Sequence, residues 1–143
     1  MNDLAELARK FPEALIKQKP GKFAADYVDH GTINQRLLEV VGPFDWHIDA
    51  PITNGEGIIV GCTATLHVVV DGAPVSITEV GDVEHPGANS ATNLKTAASD
   101  AFKRCAMRLG VGLHLWAGDS YYLDRALEKQ RKELMEPERG DDE

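Results

Sequence analysis

Cysteine is almost missing from this 143-residue chain. The two present, Cys62 and Cys105, are too few for a disulfide framework and lack C-x-x-C spacing. A reducing, cytoplasmic setting is therefore expected. No run of about 18 apolar residues occurs, which argues against a membrane-spanning helix. The opening stretch MNDLAELARKFPEAL has acids among its first residues and no apolar core of the kind a secretory leader needs. There is no G-x-x-x-x-G-K-[ST] loop, so P-loop ATPase chemistry is not expected. Aromatic residues number only nine, and most are expected in the core; Trp46 and Phe102 fall on apolar faces, while Tyr27 is a candidate to touch a ligand. Between residues 45 and 85 there is no lysine or arginine at all.

What remains is ordinary globular material, 43% hydrophobic and 27% charged, of a length that fits one domain with a tail. The formal net charge of −8 argues against a general nucleic-acid binder. The distribution says otherwise. Residues 1–22 carry +2, residues 23–94 carry −9, residues 95–112 carry +3 and residues 113–143 carry −4. Positive charge is gathered into two short segments, and contact-range fields are set by nearby charges. Solvated helix faces are the structural alternative.

Periodicity defines the elements. Leu4, Leu7 and Phe11 share a helical face over 3–11, Pro12 interrupts, and 13–23 is a basic connector. Residues 30–41 form a helix with Ile33, Leu37, Val40 and Val41 as its stripe, stopped by Gly42-Pro43. Strands are expected over 45–53, 58–70 and 74–83, joined by the turn signals NGEG and Asp71-Gly72. After the loop HPGANS, residues 91–109 make a helix with an alanine-rich apolar face, closed by Gly110. Residues 111–116 are an apolar edge, 121–135 a mixed-charge helix, and the last eight residues are expected to be disordered. The fold class is α+β, a three-stranded antiparallel β-meander packed on a long C-terminal helix. Three regions follow: an N-terminal helix and connector over 1–22, a core over 23–118, and a charged helix with an acidic tail over 119–143.

The basic helix carries the chemistry. Arg104 and Arg108 are about 40° apart on one flank of the apolar stripe. Lys103 points away from the stripe and Lys95 lies on the other flank. Arginine forks suit bidentate phosphate contact and lysine adds a point charge.

The block YVDHGTINQRLLEVVGPFDW (27–46) resembles the helix-to-first-strand signature of the Rad fifty-two superfamily of single-strand-annealing recombination proteins. ATNLKTAASDAFKRCAMRLGVGLHLW (91–116) resembles its final core helix, and FPEALIKQKPGK (11–22) the lead-in of short bacterial and phage members such as the Deinococcus DNA-damage-response protein A group. The three blocks and the meander between them span about 11–116. The resemblance implies a β-β-β-α core, an oligomeric ring or helical filament, and ATP-independent binding and annealing of single-stranded DNA in recombination and repair. It implies no enzyme activity and no cofactor or metal. A recombination nuclease or a single-strand binding protein becomes a candidate partner.

Carried over by position, Lys103 and Arg104 match the paired bases of the family's inner DNA site, and Lys95 matches a recurrent lysine. A further basic position is Met107 here, with Arg108 one step later. An arginine near the start of the preceding helix aligns with Gly31 or Thr32, leaving Arg36 as the base of that region. Lys19 and Lys22 in the lead-in complete the expected DNA-binding set. The family's outer DNA site lacks its basic residues in this chain.

Competing readings are a metal-dependent nuclease built on Asp82, Glu84 and His85, and a self-assembling protein-interaction module without a DNA role. Cys62, His67, Cys105 and His114 lack zinc-ligand spacing; buried cysteines and strand histidines explain them.

Overall fold

A computed structural model describes residues 2–18 and 26–135. The elements, in chain order, are α1 (Asp3–Leu7), β1 (Lys17–Gln18), β2 (Asp26–Tyr27), α2 (His30–Val41), β3 (Asp45–Thr53), β4 (Ile59–Val70), β5 (Ala73–Asp82), α3 (Ser90–Arg108), α4 (Leu113–Ala117) and α5 (Leu123–Met135). Single 3-10 turns precede β1 at Glu13–Leu15 and α5 at Gly118–Ser120. The sheet β3-β4-β5 is an antiparallel meander covered on one face by α3, as the alternation and turn signals led one to expect. Its turns follow from local chemistry. Asn54 Oδ1 accepts from the N–H groups of Glu56 and Ile58, and Asp71 and Gly72 take φ of 50° and 80°.

The alternation of β4 decides which face is buried. Cys62, Ala64, Leu66 and Val68 point at α3, whereas His67 and Val69 face outward. Opposite them α3 presents Ala97, Ala98, Ala101, Phe102 and Cys105. Small side chains let helix and sheet meet closely, and the contact is tightest at Gly81 of β5. A Cβ there would collide with the carbonyl oxygen of Ala97 and lie 2.6 Å from the amide nitrogen of Ala101. Asn89 caps the helix by accepting from the Thr92 N–H at 3.1 Å, and Gly110 follows its end with φ 91°. Both cysteines are buried in this seam, and burial pushes the Cys105 thiol up to about 11.

The N-terminal helix is shorter than the 3–11 expected. The chain leaves the helix after Leu7 because Arg36 of α2 gathers its carbonyls. The Arg36 guanidinium donates to Glu6, Leu7 and Arg9 at 3.3, 3.2 and 2.6 Å and lies 4.2 Å from the centre of the Phe11 ring. Phe11 N–H donates to His114 Nε2 at 3.1 Å, and Tyr121 donates its hydroxyl to Ala8 O. Asp3 and Asp71 each accept the other's backbone N–H at 2.8 Å. Leu7 and Phe11 thereby enter the main core with Leu37, Leu66 and Phe102. Residues 111–116, expected as an apolar edge, instead open helix α4, set off by Gly112 at φ 72° and Gly118 at φ 57°. The small β1–β2 pair was not visible in the sequence pattern. The last eight residues, expected to be disordered, lie outside the described residues.

Two substitutions test this packing. Gly81→Ala should cost at least about 3 kcal/mol, the upper end for overpacking, because only backbone could yield. Arg36→Met keeps the length but removes the donors, and should cost about 2–4 kcal/mol in chemical denaturation. A urea midpoint unchanged in either variant would contradict the packing described.

Candidate nucleic-acid interface

Helix α3 buries one face on the sheet, so its opposite face is free to form a site. That face floors a groove of about 790 Å³, whose lining includes Lys95, Thr96, Ser99, Asp100, Lys103 and Arg104 from α3. The spacing i, i+1, i+4, i+5, i+8, i+9 is the helical repeat of one face. One wall is Tyr27 and Asp26 of β2 with Val28 and Ile33; another is Gly112, Leu115 and Trp116 at α4. Asp82 and Glu84, leaving β5, also contribute.

Two consecutive bases each sit over an aromatic ring from a different element. Lys103 Nζ is 5.5 Å from the centre of the Tyr27 ring. The Arg104 guanidinium is 5.2 Å from the centre of the Trp116 ring, and its Nε donates to Asp100 Oδ2 at 3.2 Å. Such pairs hold long cationic side chains in place without discharging them. Asp100 is further engaged by the Asp82 N–H at 3.2 Å. Next to Lys103, His30 stacks on Phe102 with ring centres 4.7 Å apart and meets Ser99 Oγ at 2.8 Å through Nδ1. Burial lowers the His30 pKa, and Lys103 lowers it further.

The expected site residues divide. Lys95, Lys103 and Arg104 share the groove. Arg36 is a correction: only 5% exposed, its Nη1 is spent on three backbone carbonyls, so it anchors the N-terminal segment and offers no surface to a phosphate. Arg108 stands outside the groove, with its side chain 59% exposed. The Arg104–Arg108 pair does not address one surface, because Arg108 pairs with Glu79 on the inner face of β5 and is absent from the groove lining. The Glu79 side chain is only 15% exposed and requires that partner. Lys19 and Lys22 lie outside the described residues.

The groove is also less one-sided than the charge partition suggested, since Asp26, Asp82, Glu84 and Asp100 line it too. Sequence reasoning missed Trp116. The string LHLW read as a buried edge, whereas in α4 Leu115 packs against the core and Trp116 is 52% exposed. The flanking glycines Gly112 and Gly118 were the available signal for a short, separate helix.

The other candidate clusters do not assemble into a metal site among the described residues. The Glu84 and His85 side chains are almost fully exposed and lie 3.8 Å apart. His67 faces outward beside Ser76, Cys62 and Cys105 are buried under α3, and His114 sits under the N-terminal segment. Among the described residues no three His, Cys, Asp or Glu side chains are placed to hold a metal ion. The outer sheet face carries Asp49, Thr65 and Thr78 in one hydrogen-bonded row and no lysine or arginine. No helix among the described residues is long and apolar enough to cross a membrane.

In this β-β-β-α core the face of α3 that carries Lys95, Lys103 and Arg104 is turned away from the sheet. A family model described as Rad52/22 family double-strand break repair protein matches residues 3–134, and the chain belongs to that family. Among curated relatives it is 28% identical to the single-stranded DNA-binding protein DdrA of Deinococcus radiodurans, over 77% of this chain and 52% of the relative. It is 31% identical to DdrA of Deinococcus deserti, over 77% of this chain and 54% of the relative. The chain thus spans about half the length of these relatives.

His30 and His114 give the fold a pH signature. Both have lowered values in the folded state, chiefly through burial, against about 6.5 when unfolded. Below that value the unfolded chain binds more protons, so stability is full above about pH 6.5 and falls as pH drops toward the folded values. The melting temperature should fall between pH 7.5 and 5.5, and His30→Gln/His114→Gln should flatten the slope. An identical slope in that variant would count against the assignment.

Proposed function

We propose that the protein binds single-stranded DNA in the α3 groove and anneals complementary strands without ATP, in recombination and repair. The observation that carries this reading is the convergence of Lys95, Lys103 and Arg104 on one groove, at the positions where the family resemblance expects DNA contacts. Membership of the Rad52/22 family and the likeness to proteins named for single-stranded DNA binding support it. Annealing needs a strand gripped by its backbone with its bases free to pair. Phosphate contacts from lysine and arginine supply the grip without reading sequence.

Three bases per chain make a weak site alone. A closed ring or a helical filament of this chain would set the grooves side by side and join them into one basic track. The acids on the groove walls and an outer sheet face without lysine or arginine would then restrict DNA to that track. The chemistry consists of binding and pairing, with no bond made or broken by the protein.

The test mixes two complementary oligonucleotides without ATP or metal. The wild type should accelerate pairing over the spontaneous rate, with binding that weakens steeply as salt rises. Lys103→Ala/Arg104→Ala should reduce affinity by about tenfold or more and flatten the salt slope by about 1.4, at roughly 0.7 for each phosphate of a single strand no longer neutralised. No acceleration by the wild type, or full activity in the double variant, would overturn the reading.

A further inference from the structure

We propose that Trp116 is a base-stacking platform, so that the groove holds single-stranded DNA through a nucleobase as well as through phosphates. This assignment rests on the single-strand reading above and specifies how that site takes its ligand.

The two tryptophans of the chain are in opposite situations. Trp46 meets Phe102 edge-on, with ring centres 5.1 Å apart, and packs against the core. Trp116 is half exposed on the wall of a groove. Its placement is built. Leu115 holds α4 to the core, and glycines in left-handed or extended positive-φ geometry bound the helix at Gly112 and Gly118. The Arg104 guanidinium lies over the indole, which fixes the ring and keeps a phosphate-binding fork within one nucleotide's reach of it. A cation beside an exposed ring is the pairing that a nucleotide needs, since each unit presents one phosphate and one flat base.

Stacking also fits the chemistry of annealing. A base laid face-on against indole keeps its hydrogen-bonding edge open to a complementary strand. Every base has such a face, so the contact tolerates any sequence. Phosphates alone would leave the base free to rotate; one stacked base per chain would set the orientation of the strand.

The experiment measures binding of the full chain, by fluorescence anisotropy, to labelled oligo-dT and to an abasic oligomer of the same length and charge. Wild type should bind oligo-dT more tightly than the abasic oligomer. Trp116→Ala should lose roughly tenfold on oligo-dT and markedly less on the abasic oligomer, where only the ring's hold on Arg104 is lost. Trp116→Phe should keep most of the wild-type preference. Equal loss on both ligands, or no loss on either, overturns the stacking assignment and leaves phosphate binding standing. Failure of the wild type to bind either oligomer overturns the single-strand reading and this assignment with it.

Discussion

The seam between α3 and the sheet is the contact on which the rest of the molecule depends. Alanines at 97, 98 and 101 face β4 and β5, and Gly81 brings β5 against the backbone of the helix. That closeness uses the inner face of α3 completely and leaves the other face for a groove. The groove is thus a by-product of how tightly the helix packs. Larger side chains along the seam would lift α3 and alter the distance between Lys103 and Arg104 and the walls that orient them.

The walls come from the ends of the chain's other elements. Tyr27 arrives on a two-residue strand just before α2, and Trp116 on a five-residue helix after α3. Each lies under one of two adjacent bases. The groove therefore combines fixed cations, two rings and a set of acids that limits where a polyanion can lie. The N-terminal segment serves this arrangement indirectly. Clamped by Arg36, His114 and Tyr121, it covers the end of the core from which α4 departs.

Much of this was legible in the sequence. Period-two alternation with NGEG and Asp71-Gly72 marked the meander, and the three-and-four spacing of alanines marked α3. The segmental charge count marked the segment whose Lys95, Lys103 and Arg104 line the groove, despite a net charge of −8. What escaped depended on partners distant in sequence. Arg36 looked like a surface base because no local pattern shows that carbonyls some 27 to 30 residues upstream will surround it. Arg108 looked like the partner of Arg104 until the pairing of β4 and β5 put Glu79 on the inner face. Trp116 looked apolar and hidden because LHLW was read without the flanking glycines as helix boundaries. In each case the neighbour that met the side chain was a tertiary fact.

Lysine footprinting tests the central claim most directly: that single-stranded DNA lies along the outer face of α3. The intact protein is labelled with an amine-reactive reagent, with and without a saturating oligonucleotide, and each lysine is quantified by mass spectrometry. The account predicts protection of Lys95 and Lys103, with Lys129 and Lys132 of α5 labelled as before. Unchanged labelling at Lys95 and Lys103, with protection on α5, would contradict it.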